Sequence, residues 1–431
     1  MNIKDIIQKK CKKEKLNQEE IEFWIKGLTD GSIADYQSSA MLTAIYINGM
    51  DNEETFYLTK AMTDSGEKLD FSMIEGIKAD KHSSGGVGDK TSMALMPLMV
   101  SCGLKAAKMS GGALGYMGGT TDKLSSIPKM NVFLSKEAII KQVQEIGIAM
   151  CGQTGNLCPA DKKLYALRDV TGTVNSIPLI VSSIMCKKLA CGDDVILLDV
   201  KYGSGAEMAT VLDAENLANL MISVGKQYGK NIGACITSME QPLGNAVGNA
   251  LEVKEAIDTL HGKGPKDFTD LVFEVGAELL NRSLNMDKEK AYKLMQENID
   301  NSKAANLFKT MINAQGGNGD VVDDTNLLPQ AKFITPIKSK QKGYVTKLLG
   351  QPIGEISMSL GAGRIKADDE IDYGVGIVLN KKVGDYVNID DVLAYVHHSK
   401  PLDDFTINKL LNAYEFKDTR IDPTPIIAKI L

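Results

Sequence analysis

The sequence offers little from which to build a metal centre or a disulfide framework. Its seven cysteines (Cys11, Cys102, Cys151, Cys158, Cys186, Cys191, Cys235) form no C-x-x-C pair, and the four histidines stand at no zinc-ligand spacing. So scattered and odd a set reads as free thiols, most of them in the core. Long apolar runs are missing too. No stretch approaches the roughly 18 residues that cross a bilayer, and none follows the charged opening MNIKDIIQKKCKKEK. Neither a membrane span nor a signal peptide is expected, and a cytoplasmic location is. An excess of basic charge is also lacking. With 49 Lys and Arg against 55 Asp and Glu, the net charge of -6 argues against a nucleic-acid partner. What remains is a chain of 431 residues, 43% hydrophobic and 24% charged, which is enough for two or three domains with a sizeable core.

The character of the chain changes along its length. Residues 1–65 carry apolar residues at helical spacing, with Asn17 and Glu20 placed as a capping box before IEFWIKGL and Gly27 or Gly31 placed to end that helix. After a hinge at 66–80, glycine-rich turns alternate with helices and short apolar strands such as VILLDV (195–200) and IGACIT (232–237), the pattern of a mostly parallel sheet with crossover helices. Within this α/β region (81–159 and 193–331), residues 160–192 again read as helix, with Pro159 and Pro178 at helix starts. They are expected to rejoin the N-terminal bundle. Residues 332–431 form a β-rich module. The fold class expected is α/β: a small helical domain, a large α/β domain and the C-terminal module.

Residues 81–92 read KHSSGGVGDKTS. A P-loop needs a glycine directly before its lysine, but Asp89 takes that place, and a carboxylate there would repel a polyphosphate. Lys81, His82, Ser83 and Ser92 surround these glycines, and Ser110 and Thr120 stand in a second glycine-rich stretch, KMSGGALGYMGGTTDKL. Such glycines let backbone N–H groups approach an anion, so two loops of this kind suit one small tetrahedral anion; the other reading is that they make tight turns. A third cluster, Tyr165, Arg168, Ser183 and Lys187, lies in the returning helical segment, with Ser183 and Lys187 four residues apart on one face. Alone, it would pass for a solvated helix face.

The order of five segments is more specific than any one loop. KHSSGGVGDKTS, KMSGGALGYMGGTTDKL, PADKKLYALRDVT with SIPLIVSSIMCKKLA, QPLGNAVGNALEVKEAI, and GAGR with VGIVLNKKVGD together resemble the pyrimidine-nucleoside phosphorylase and thymidine phosphorylase family over nearly the whole chain. The resemblance implies a homodimer that cleaves pyrimidine nucleosides with inorganic phosphate and uses no organic cofactor. It implies phosphate ligands at Lys81, Ser83, Ser92, Ser110 and Thr120. It also implies a base site of Arg168, Ser183 and Lys187 lined by Tyr165, with domain closure joining the reactants. The catalytic residues would be His82, Arg168 and Lys187: the two cations steady the departing base, and His82 shares a proton with a ring carbonyl oxygen.

Some members of that family hold a monovalent cation, which by resemblance would be bound around Gly88, Leu243, Ala246 and Glu255. A threonine commonly stands there at the position of Lys90, so the expectation is that the Lys90 ammonium takes the site of potassium; the alternative is a lysine turned to solvent. The chain also departs from the family pattern SGRGLGHTGGT at Gly112, Ala113, Tyr116 and Met117, and KLSS replaces KLES. The lost positive charge leads us to expect weaker phosphate affinity. It leaves open a diverged relative with altered catalysis, or a phosphoribosyltransferase on a related fold. The C-terminal hairpins resemble biotinyl or lipoyl carriers but lack a convincing modified-lysine turn.

Overall fold

In a computed structural model, the structure describes residues 1–113, 115–153, 156–364, 366 and 369–431. Four helices open the chain: α1 (Ile3–Cys11), α2 (Gln18–Asp30), α3 (Asp35–Asn48) and α4 (Asn52–Asp64). Capping boxes start α2 (Asn17 with Glu20) and α4 (Asp51 with Glu54), and Gly31 ends α2 at a φ of 83° that only glycine adopts freely. There follow β1 (Ala79–Ser83), α5 (Thr91–Ser101), β2 (Ala106–Ser110), α6 (Thr120–Ser125), α7 (Lys136–Ile146) and β3 (Ile148–Gly152). Pro159 then opens α8 (Pro159–Thr171), and Pro178 sits in the first turn of α9 (Ile177–Ala190), where a missing N–H costs nothing. Next come β4 (Val195–Tyr202), α10 (Val211–Gln227), β5 (Asn231–Ser238) and β6 (Ala246–Val247). Helices α11 (Asn249–Leu260), α12 (Lys266–Leu284), α13 (Lys288–Asp300) and α14 (Lys303–Ala314) follow. The remainder alternates short strands with two helices: β7 (Phe333–Lys338), β8 (Gly343–Leu348), α15 (Gly350–Ser357), β9 (Gly376–Leu379) and β10 (Tyr386–Val387). It ends with β11 (Val392–His398), α16 (Asp404–Asn412), β12 (Tyr414–Lys417) and β13 (Ile427–Ile430).

These elements form two compact units. The first, Met1–Lys78 with Gln153–Ile196 and Asn216–Gly233, is a helical bundle in which α8 and α9 join the N-terminal helices. Its core holds Ile21, Trp24 and Leu28 of α2, all fully buried. The buried Lys10–Glu54 pair (2.7 Å) ties α1 to α4, and the Thr59 hydroxyl donates to Ser182 Oγ (3.1 Å) between α4 and α9.

The second unit, Ala79–Gly152 with Leu197–Glu215 and Ala234–Leu431, contains the α/β region and the C-terminal strands. Its principal sheet has the order β1-β4-β5-β13, and β2 and β3 form a parallel pair beside it. Every residue of β4 is buried, as a strand covered on both faces requires, and α5 is apolar nearly all round because it too lies inside. The C-terminal module comprises the sheets β6-β9-β11-β7 and β10-β8-β12. It is not built from the last segment alone. β6, far upstream, pairs antiparallel with β9, while β13 leaves the module and pairs antiparallel with β5.

Candidate active site

In the second unit the anion candidates lie where β1 and β2 end and α5 and α6 begin, the side on which open α/β sheets bind ligands. Along β1 the side chains alternate, so Lys81 and Ser83 share one face and His82 projects from the other. Lys81 is fully buried, 2.6 Å from Asp199 Oδ2 and 3.9 Å from Asp89 Oδ2. Burial alone would depress its pKa, but Asp199 and Asp89 outweigh burial and leave it raised. Asp199 also pairs with Lys201 (2.7 Å) and accepts from Thr237 Oγ1 (2.6 Å), so two ammonium groups face two carboxylates beneath the loop.

Asp89 organises the loop above them. Its Oδ2 accepts a short hydrogen bond from the Ser83 hydroxyl, and its Oδ1 accepts from Thr91 N (3.1 Å) and Thr91 Oγ1 (2.6 Å). Burial opposes the charge on Asp89, yet Lys81, Lys201, Ser83 and Thr91 hold its pKa well below the ordinary carboxylate value. The residue that excludes a P-loop is therefore the bracket of this one. Ser92, buried, stands in the first turn of α5. Lys123 of α6 brings the second loop to the first, donating to Asp89 O (2.8 Å) and pairing with Glu252 (2.6 Å). Thr121 Oγ1 donates to Ser110 O (3.0 Å), drawing Thr120 and Ser110 to one end of the loop. The loop closes on itself at Gly119, where a Cβ would lie 2.1 Å from Gly112 C. Met117 is buried against Gly85, and Tyr116 packs against the core of the C-terminal module. Leu114 lies outside the described residues.

The residues expected around a monovalent cation converge on one ammonium. Lys90 is 1% exposed, and its Nζ donates to Leu243 O (2.8 Å), Ala246 O (3.0 Å) and Glu255 Oε1 (2.5 Å), with the Phe268 ring 5.3 Å away. Gly88, at a φ of 76°, allows the approach: a Cβ there would lie 2.6 Å from Leu243 O. Lys90 is thus turned inward, and the donors that would hold a potassium ion are already engaged. Among the described residues no cluster of three His, Cys, Asp or Glu side chains could hold a metal.

The base candidates lie in the first unit, on α8 and α9. Lys187 Nζ pairs with Asp161 Oδ2 (2.8 Å) and lies 3.4 Å from Ser183 Oγ, so the two residues four apart do share a face. Burial works against the Lys187 charge, but Asp161 prevails and its pKa is raised. Arg168 is 3% exposed and binds the link after α8 and the first turn of α9, donating to Thr173 O (3.4 Å), Val174 O (2.5 Å) and Leu179 O (3.1 Å). Its guanidinium lies 5.8 Å from the centre of the Tyr165 ring. Burial pushes the pKa of the Tyr165 hydroxyl up, Arg168 and Lys187 oppose the rise, and Asp169 and Asp161 add to it.

Sequence reasoning finds Lys81, Arg168 and Lys187 but misses Asp199, Lys201 and Asp161, which pair with or surround them. Asp199 and Lys201 had a visible signal: two charged residues at alternate positions of the apolar strand VILLDVKY, which place them on one face. Asp161 had none.

The domains have counterparts among known proteins. Residues 75–305 match the a/b domain of the glycosyl transferase family, residues 4–66 match the helical bundle domain of that family, and residues 344–417 match the pyrimidine nucleoside phosphorylase C-terminal domain. Together they define the class, a helical bundle with an α/β glycosyl transferase domain and a sheet-rich C terminus. The pyrimidine-nucleoside phosphorylases of Staphylococcus haemolyticus and Staphylococcus epidermidis are 52% and 50% identical to the chain, each over 100% of both sequences. The chain belongs to the pyrimidine-nucleoside phosphorylase family. An anthranilate phosphoribosyltransferase from Thermus thermophilus superposes with a TM-score of 0.58, covering 72% of this chain and 99% of its own; at 15% identity the likeness is one of fold.

Proposed function

We propose that the protein catalyses the reversible phosphorolysis of pyrimidine nucleosides (uridine, thymidine, deoxyuridine) to the free base and a pentose 1-phosphate. The observation that supports this reading is the pair of glycine loops in the second unit, joined where Lys123 donates to Asp89 O, with the Ser83 hydroxyl bonded to Asp89 and Thr121 bonded to Ser110 O. Its similarity along its entire length to enzymes named for that reaction points the same way.

An oxygen of phosphate attacks the anomeric carbon. The C–N glycosidic bond breaks, and its electron pair leaves with the pyrimidine. Arg168 and Lys187 stabilise the negative charge developing on the base, and His82 shares a proton with a ring carbonyl oxygen. The cluster around Asp89 keeps Lys81 charged and Ser83 fixed while phosphate binds and leaves. Lys90 serves in place of a bound monovalent cation, so catalysis needs no potassium. The enzyme works as a cytoplasmic homodimer; no helix among the described residues is long and apolar enough to cross a membrane.

Incubation with each nucleoside, with and without phosphate, tests the reaction. Base and pentose 1-phosphate are expected in equal amounts and only with phosphate. Release without phosphate, or no release at all, would refute the proposal.

A further inference from the structure

The second glycine loop carries a carboxylate at a place that is awkward for an enzyme binding phosphate. Asp122 follows Thr120 by two residues, is only 6% exposed, and accepts from Ala113 N (2.7 Å) through Oδ2. This bond staples the loop into a ring whose other closure is the contact of Gly119 with Gly112. An uncompensated negative charge here would oppose a phosphate dianion held by Ser110 and Thr120. It would also draw the loop toward any other cation in reach. The structure supplies a counter-charge from far along the chain: Arg364 Nη1 lies 3.0 Å from Asp122 Oδ1. The same region of the C-terminal module touches the loop a second time, at Gly354, where an added Cβ would lie 2.9 Å from both Tyr116 O and its ring. All these residues belong to one compact unit.

We infer that Arg364 is a positioning residue for the phosphate half-site: it neutralises Asp122 and holds the loop shut from the C-terminal module. The inference rests on the phosphorolytic reading above and extends it, because it assigns the module a part in binding phosphate. Gly112 provides an independent handle. A Cβ at residue 112 lies 3.3 Å from Asp122 Oδ2, so an arginine introduced there starts from the neighbourhood of the carboxylate that Arg364 now serves. Arg364 itself is 42% exposed at its side chain, so its replacement leaves no buried cavity.

Kinetics with phosphate varied at saturating uridine, and uridine varied at saturating phosphate, separate positioning from general damage. Arg364→Met is expected to raise KM for phosphate about three- to tenfold, the range for a partly exposed charge-assisted pair, and to change KM for uridine by less than about twofold. Arg364→Lys should recover part of the loss. So should Gly112→Arg added to Arg364→Met, by returning a guanidinium to Asp122 through a different backbone position. An unchanged phosphate KM in Arg364→Met overturns the inference, as does an equal rise in both KM values or failure of both cations to restore phosphate use. Stabilisation of the protein by phosphate alone, followed as a melting-temperature shift, keeps the two readings apart. A wild type that releases no base defeats phosphorolysis. A phosphate-induced shift that is diminished in Arg364→Met still supports the clamp, and an equal shift in both proteins, or none in either, removes it.

Discussion

At the scale of single residues, the site is governed by where charge is buried. Lys90 is the clearest case: its ammonium has two carbonyls and the Glu255 carboxylate around it, and Glu255 also accepts from Asn245 N and Ala246 N at 3.0 Å. Removing one partner of a buried pair leaves the other uncompensated, which costs about 3–5 kcal/mol. Lys90→Thr should therefore destabilise the protein by about that amount in a sodium-free, potassium-free buffer. It also vacates the ring of oxygens, so potassium should restore much of the lost melting temperature and activity in the variant while leaving the wild type unaffected. Strong potassium activation of the wild type would contradict the role given to Lys90. Lys90 appears in the sequence only as a departure from a pattern; its inward direction depends on the positive φ of Gly88 and on carbonyls some 150 residues downstream, which no local spacing displays.

At the scale of elements, local chemistry was legible and non-local pairing was not. The capping box at Asn17, the proline starts of α8 and α9, and the apolar strands β4 and β5 all follow from neighbours within one turn or one strand. β13 does not. IIAKI has no alternation to betray a partner, yet Ile427 aligns with Thr237 and Ile430 with Cys235 at the edge of the main sheet. Leu431 then exchanges both backbone hydrogen bonds with Ala234 (2.8 and 3.1 Å), and its carbonyl accepts from Arg282 Nη2 (2.7 Å). This strand covers the edge of β5, whose residues are buried but for the first. A chain ending after Pro425 should melt several degrees lower, losing backbone hydrogen bonds worth roughly 1 kcal/mol each, and should aggregate through the exposed edge. Light scattering during a thermal ramp checks this; an unchanged onset of aggregation would show that β13 is dispensable.

At the scale of the whole molecule, the chain keeps a modest net charge of -6 while gathering unusual charge density inside its second unit. Lys81, Lys201, Asp89 and Asp199 are each 0–8% exposed, and two positive charges balance two negative ones. Lys81 could be proposed from sequence because a phosphate site calls for a cation, whereas Asp89 looked adverse to a polyphosphate and Asp199 and Lys201 were not singled out. Their purpose emerges only when the strands meet. This balance sets a pH dependence whose sign is fixed. Asp89 and Asp199 have folded-state pKa values held below the ordinary 3.8, despite burial, by Lys81 and Lys201. The stability they contribute is therefore complete above that value and lost as pH falls through the folded-state values. Lys81 is raised above its ordinary 10.5, so its contribution is present below that pH and lost only on the alkaline side. Asp89→Asn retains much of the shape of the side chain but removes one charge from the quartet. At neutral pH it should cost about 3–5 kcal/mol, since it leaves two buried ammonium groups to share the single carboxylate of Asp199. The penalty should shrink progressively as both proteins are taken below about pH 4, because there the unfolded wild type gains a proton at Asp89 that the folded protein still resists, and it vanishes once the folded carboxyl is protonated as well. Urea unfolding of the two proteins at a series of pH values measures the difference directly; a penalty that stays constant into the acid range would mean that the charge on Asp89 does not stabilise the loop.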